Sequence, residues 1–117
     1  MKLAKLHSLL ADETRLRILH LLLQGPLCVC HFQEVLDAPQ VKISKHLAAL
    51  REHGLATSRR HKNWMIYELA AKPEAAVQLQ LKALAQTAQT EAIYQRDLKR
   101  LHKVNNKADE IISACCS

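Results

Sequence analysis

Apolar positions recur at helical spacing through the first half of the chain, and the spacing predicts four helices before the pattern changes. Leu3 to Leu10 form a short apolar-rich helix. A second helix starts at Ala11-Asp12-Glu13-Thr14, where Asp12 can accept a first-turn N–H and Glu13 sits in the positive end of the helix dipole. Leu16, Leu19, Leu22 and Leu23 carry its inward side, and Gln24-Gly25-Pro26 stops it. Residues 28–37 read as a third helix with Phe32, Val35 and Leu36 as its apolar face. After an Asp37-Ala38-Pro39 turn, residues 40–53 read as a fourth, with Val41, Ile43, Leu47 and Leu50 directed inward. Gly54 closes it as a left-handed residue.

Past Gly54 the pattern becomes strand-like. Leu55 to Arg60 and Asn63 to Leu69 predict two short strands joined at His61-Lys62-Asn63, a basic β-hairpin with Trp64 at its base. From Glu74 to about Val104 the stripe Val77, Leu81, Leu84, Ala88, Leu98, Leu101 predicts one long helix. A long helix striped on one side packs against a partner helix. Asn105-Asn106 is a place where it can break or bend. The chain therefore divides into residues 1–104, a single domain, and residues 105–117, a tail ending Cys115-Cys116-Ser117.

Composition agrees with a mainly α fold. Aromatics make up 3% of the 117 residues, with two Gly and three Pro, so the core is built from Leu, Ala, Ile and Val. Seventeen Lys and Arg against eleven Asp and Glu give a net charge of +6, which suits a polyanionic partner. The start, Met1-Lys2-Leu3-Ala4-Lys5-Leu6, never opens into an uninterrupted apolar stretch, and no apolar run spans a bilayer. The expectation is a cytoplasmic protein without a membrane partner. In that compartment thiols stay reduced, so four cysteines point to metal or redox chemistry rather than a disulfide framework.

Two helices joined by a tight turn and followed by a basic hairpin make a winged helix-turn-helix. The fourth helix carries Gln40, Lys42, Ser44, Lys45 and His46 near its N-terminal half, the part of a recognition helix that reaches base edges. Gln reads adenine, and Lys reads guanine or holds a phosphate. Arg59, Arg60, His61 and Lys62 in the hairpin suit phosphate or minor-groove contacts. Taken alone, that run is an ordinary solvated turn; beside the fourth helix it is a second basic surface where a wing belongs.

Four stretches in order resemble the ArsR/SmtB family of bacterial metal-sensing repressors: Ala11-Asp12-Glu13-Thr14-Arg15-Leu16-Arg17-Ile18-Leu19, Leu27-Cys28-Val29-Cys30, Lys42-Ile43-Ser44-Lys45-His46-Leu47, and Leu50-Arg51-Glu52-His53-Gly54-Leu55. The resemblance covers roughly residues 3–100. It implies a winged-helix homodimer held by the first and last helices. It also implies repression of a resistance operon, relieved when metal binds. Dimer symmetry then implies a double-stranded operator with inverted half-sites about one helical turn apart.

Within that family, Cys28-Val29-Cys30 resembles the arsenite- and antimonite-responsive members, with As(III) or Sb(III) as effector. As(III) is soft and thiophilic and prefers three sulfurs in a pyramid. Side chains two apart on a helix diverge by about 200°, so Cys28 and Cys30 cannot chelate one atom from an intact first turn. Either the stretch is already non-helical, or binding unwinds it and moves the DNA-reading pair. A helix N-terminus also favours thiolate, so binding releases protons and weakens in acid. Many such sensors carry a third Cys where this chain has Gln33, and His31 replaces the usual acidic residue. Cys115 or Cys116, from the same or the partner subunit, is the candidate third thiolate. A frayed terminus without a role is an equal rival for that pair, and two separate two-sulfur sites are another arrangement. The remaining histidines, with Asp97, read as surface residues, since they lack the Asp and His pairing of the family's Zn(II) sensors. His31 is kept as a possible supporting group.

Other functions stay open at this stage. A redox sensor would join Cys28 or Cys30 to a tail cysteine. A Cd(II) or Pb(II) sensor would need further ligands. A thiol enzyme such as an arsenate reductase lacks an anion-cradling loop beside Cys30-His31, so a regulator rather than an enzyme is the expectation.

Overall fold

The computed structural model describes the backbone of residues 1–116 and the side chains of residues 1–104. Helix α1 (Leu3–Leu10) buries Leu6 and Leu9. Helix α2 (Glu13–Leu22) begins where Asp12 Oδ1 accepts the Arg15 N–H at 3.0 Å. Strand β1 (Leu27–Cys28) leads directly into α3 (Val29–Leu36). That helix ends at Asp37, whose φ of 50° is a left-handed conformation that Asp tolerates better than most residues. Pro39 then precedes α4 (Gln40–Glu52).

The end of α4 sets the direction of everything that follows. Gly54 has φ +80°, its N–H donates to Arg51 O at 3.1 Å, and the Leu55 N–H donates to Leu50 O at 2.9 Å. These two bonds satisfy carbonyls that the helix leaves free, and the buried Leu50 and Leu55 accompany the reversal. The chain leaves as β2 (Ala56–His61), turns at Lys62 with φ 56°, and returns as β3 (Trp64–Leu69). The sheet order is β1-β3-β2, all antiparallel, with Ala56 opposite Leu69 and His61 opposite Trp64. One core joins the layers. Ile18, Leu19 and Leu21 of α2, Phe32 and Val35 of α3, and Ile43, Leu47 and Leu50 of α4 are all at 0% exposure.

Several expectations are corrected. The third helix starts at Val29, because Leu27 and Cys28 pair with Tyr67 and Ile66 and make the hairpin a three-stranded sheet. Trp64 sits beside the hairpin turn, not at its base, and is half-buried. Val41 points outward at 69% exposure, since the inward stripe of α4 is complete with Ile43, Leu47 and Leu50. The long helix expected from Glu74 to Val104 is two: α5 (Ala75–Thr87), a turn of 3-10 helix (Ala88–Thr90), and α6 (Ala92–Cys116). The threonines make the break. Thr87 Oγ1 donates back to Ala83 O at 2.8 Å and Thr90 Oγ1 to Thr87 O at 3.1 Å, bonds that compete with the helical ladder. Glu91 is extended, and Gln95 Nε2 holds the Ala88 carbonyl at 3.0 Å. Positions Asn105 and Asn106 and the tail cysteines Cys115 and Cys116 lie outside the residues with described side chains.

Candidate thiol site and nucleic-acid interface

The two thiol positions sit where strand becomes helix. Cys28 is extended, at φ −88° and ψ 164°, and is the N-cap of α3. Its N–H donates to His31 Nδ1 at 3.0 Å, while its sulfur accepts the His31 backbone N–H. This is the reciprocal arrangement that Ser or Thr makes with Glu elsewhere, built here from Cys and His. Because Nδ1 accepts, the neutral His31 ring carries its proton on Nε2. Cys30 lies in the first turn, half-buried, with its Cα 5.4 Å from that of Cys28, and the two sulfurs are joined in a disulfide. The divergence expected of a regular helix is thus avoided, because Cys28 is not helical. The ligand atoms of Cys28, Cys30 and His31 lie within 4.8 Å of one another, so once the disulfide is reduced the residues present can offer one centre two soft sulfurs, and an imidazole if Nδ1 gives up its bond from the Cys28 N–H. The disulfide joins the pair to itself rather than to the tail.

Two connections lead away from the site. Cys28 is paired with Ile66, so its strand belongs to the same sheet as the wing. At the other end of α3, Arg100 Nη1 of α6 donates to the Val35 carbonyl at 3.1 Å. It takes up one of the carbonyls that the helix end leaves unpaired.

On α4, Gln40, Lys42 and Lys45 are exposed and Ser44 is half-buried. His46 is also half-buried, and its Nδ1 accepts from Arg15 Nε at 3.2 Å, while Arg15 Nη1 donates to Leu9 O at 3.1 Å. His46 thereby ties α4 to α1 and α2. Burial holds its pKa below the usual imidazole value against the opposing pull of Asp12. In the wing, Arg59 lies 3.6 Å from Glu68 at an exposed surface, a contact that water and salt screen. Arg60 Nε donates to Lys62 O at 3.2 Å across the turn. Arg51 Nη1 donates to Ser58 Oγ at 2.9 Å and fastens the end of α4 to β2. The helix that carries the exposed cations of α4 is thus fastened to the strand that carries Arg59 and Arg60.

Sequence reasoning missed a buried polar cluster between α2 and α6. Asp97 is at 0% exposure and accepts from Arg17 Nε at 2.9 Å and Nη2 at 2.8 Å, a two-pronged pair. Donating these hydrogen bonds to Asp97 raises the pKa of Arg17 further. His20 is at 4% exposure, meets the edge of Tyr94 at 5.2 Å between ring centroids, and leaves Nδ1 without a hydrogen-bond partner. His20 and Asp97 are thus interior residues, not surface ones. A turn-by-turn count places His20 between Leu19 and Leu21 in an apolar stretch, and that was the available signal.

Residues 12–58 match the family described as "Bacterial regulatory protein, arsR family". The chain is 51% identical over 67 residues to the arsenical resistance operon repressor of Escherichia coli (strain K12), covering 56% of this chain and 57% of that one. It spans a little over half the length of the first curated relatives it matches. Among solved structures it resembles the homodimeric winged helix-turn-helix DNA-binding domain Mb0332 from Mycobacterium bovis, a possible ArsR-family regulator. That match has a TM-score of 0.61 and 27% identity, over 76% of this chain and 80% of that one. It also resembles the AntR antimony-specific transcriptional repressor, with a TM-score of 0.59 and 26% identity, over 75% and 80% of the two chains.

Proposed function

As the chain belongs to the arsR family of bacterial regulatory proteins, we propose that it is a dimeric transcriptional repressor released from operator DNA when As(III) or Sb(III) binds Cys28 and Cys30. The observation that carries this is the meeting of the two sulfurs at the junction of β1 and α3. That junction is one residue pair away from the wing and one turn-linked helix away from α4. The arsenical and antimony names of the relatives support the effector class. A thiophilic centre bound there supplies a crosslink between sulfurs. The reduced pair is its ligand, formed when a thiol reductant delivers two electrons and two protons to the disulfide.

The chain's own residues do the rest. While Cys28 caps α3, its sulfur and the His31 ring hold the first turn in place. An effector that draws the two sulfurs to its own bonding geometry would shift Cys28, the cap of α3, and with it the first turn of the helix that precedes α4. A third sulfur from Cys115 or Cys116 would complete the pyramid that As(III) prefers. Gln40, Lys42, Ser44 and Lys45 read or hold the major groove; Arg59, Arg60 and Lys62 hold the backbone beside it; His46 contributes by fixing the angle of α4. Dimerisation through the first and last helices is part of the same reading; a groove of about 400 Å³ is lined by Leu6 and Leu10 of α1, Leu81 and Leu84 of α5 and Tyr94 of α6, and Leu3 of α1 and Leu79 of α5 are exposed.

The disulfide itself favours a second reading, a thiol redox sensor. Anisotropy of a labelled duplex from the chain's own upstream region separates them. Under reductant, arsenite should release the DNA and Cys28→Ser should abolish release. Release by oxidant alone, reversed by reductant and unaffected by arsenite, would install the redox reading instead. Release that persists in a Cys115→Ser/Cys116→Ser variant would confine the site to Cys28 and Cys30.

A further inference from the structure

Val41 is the most exposed large hydrophobic residue among the described residues, at 69%. It occupies the second position of α4, the helix whose N-terminal half carries Gln40, Lys42 and Lys45 to solvent. Nothing in folding accounts for it. The buried side of α4 is complete without Val41, and a β-branched side chain is a poor choice for an exposed helical position. A lone surface apolar residue is ordinary; its surroundings are what single this one out. Along α4 the residues one turn on, Ser44 and Lys45, and two turns on, Ala48, share its side of the helix. Lys45 and Ala48 are exposed and Ser44 is half-buried. From Gln40 to Arg51 there is no acidic residue. The wing adds Arg59, Arg60 and Lys62, all exposed. An isopropyl group thus stands on α4 beside the exposed Lys42 and one turn before Lys45, a composition that fits a polyanion presenting small apolar groups.

Duplex DNA is such a polyanion. Each thymine presents a C5 methyl in the major groove, and apolar side chains read it. Resting on the assignment of α4 as the recognition helix, the geometry points to Val41 as a base-specific residue that packs on a thymine methyl in each half-site. Lys42 and Lys45 supply the charge around it and Gln40 the neighbouring hydrogen bonds.

The test uses the full chain and a duplex that it enriches from a random-sequence pool at low salt. Thymines of that duplex are then replaced one at a time by deoxyuridine, which keeps the base pair and loses only the methyl. Wild type should lose about fourfold in affinity per half-site at one thymine position, the worth of one buried methyl group. V41S should bind the thymine duplex about as weakly as wild type binds the deoxyuridine duplex, and should no longer distinguish the two. Its thermal midpoint should match wild type, because the residue is exposed. Indifference of wild type to every deoxyuridine, or an unchanged deoxyuridine penalty in V41S, overturns the assignment of Val41 while leaving DNA binding intact. Failure to enrich or bind any duplex overturns the recognition-helix reading and Val41 with it.

Discussion

His20 shows what a single residue contributes that periodicity conceals. Burial depresses its pKa, and the nearby Asp97 carboxylate opposes that shift without reversing it. Arg17 holds both oxygens of that carboxylate, and Tyr94 presents a ring edge rather than an acceptor. A folded-state pKa below the unfolded value means that the fold favours the neutral ring. The stabilisation is complete above about pH 6.5, the ordinary imidazole value, and is lost as pH falls from there through the lower folded value. His46 shifts in the same direction. Between about pH 7.5 and about pH 5.5 the thermal midpoint should therefore drop. His20→Phe, which keeps a ring against Tyr94, should reduce the drop, and adding His46→Gln should reduce it further. An equal drop in all three proteins would show that other groups set the acid limit. At this scale the sequence was legible where chemistry is local. Asp12 caps α2 as its position before Glu13 implies, and Gly54 adopts the expected left-handed φ. It was opaque where a partner lies far along the chain. Asp97 and Arg17 are 80 residues apart, and no spacing rule connects them.

Elements were readable wherever one periodicity governed a whole segment, as in α1, α2 and α4. They failed where two signals competed. Leu27 and Cys28 are a strand because β3 offers them partners, a fact about Tyr67 and Ile66 that their own neighbours do not encode. The apolar stripe from Val77 to Leu101 runs across the break at Ala88–Thr90, since α5 and α6 both face the core, so the stripe survives while the helix does not. The junction of α4 and β2 is the element-scale feature with the sharpest consequence. A Cβ added at Gly54 meets nothing within 4 Å, so space is not the constraint. Its φ of +80° is, because L side chains resist that region by about 1–2 kcal/mol. Gly54→Ala should therefore lower stability by about that amount in urea unfolding. It should also weaken DNA binding beyond the stability loss, since Gly54 sets the angle between α4 and the wing. Gly54→Asn, which tolerates the left-handed region, should recover much of both. Equal losses in the two variants would mean that the turn is not conformationally demanding.

At the scale of the molecule, the thiol site sits between two levers. One is β1, hydrogen-bonded into the wing sheet; the other is α3, whose last turn is held by Arg100 of α6. Helix α6 is also bound to α2 through Asp97 and to the core through Leu101 and Tyr94, so a shift of α3 reaches it as a body. If the first and last helices form the dimer interface, α6 carries the state of one subunit's thiols to the spacing of both recognition helices. Arg100→Met keeps the apolar length of the side chain and removes the bond to Val35 O. Arsenite should still bind the reduced protein with unchanged stoichiometry, read by thiolate absorbance, because Cys28 and Cys30 are untouched. Affinity for operator DNA without arsenite should stay within a few-fold of wild type. The arsenite-dependent loss of affinity should shrink by about 0.5–2 kcal/mol, roughly two- to thirtyfold. An unchanged loss would route the signal through β1 and the wing alone. A large loss of affinity without arsenite would make Arg100 part of the DNA-competent state itself rather than of its switch. These outcomes separate because the thiol site and Arg100 of α6 engage α3 at opposite ends, one at the Cys28 cap and the other at the Val35 carbonyl.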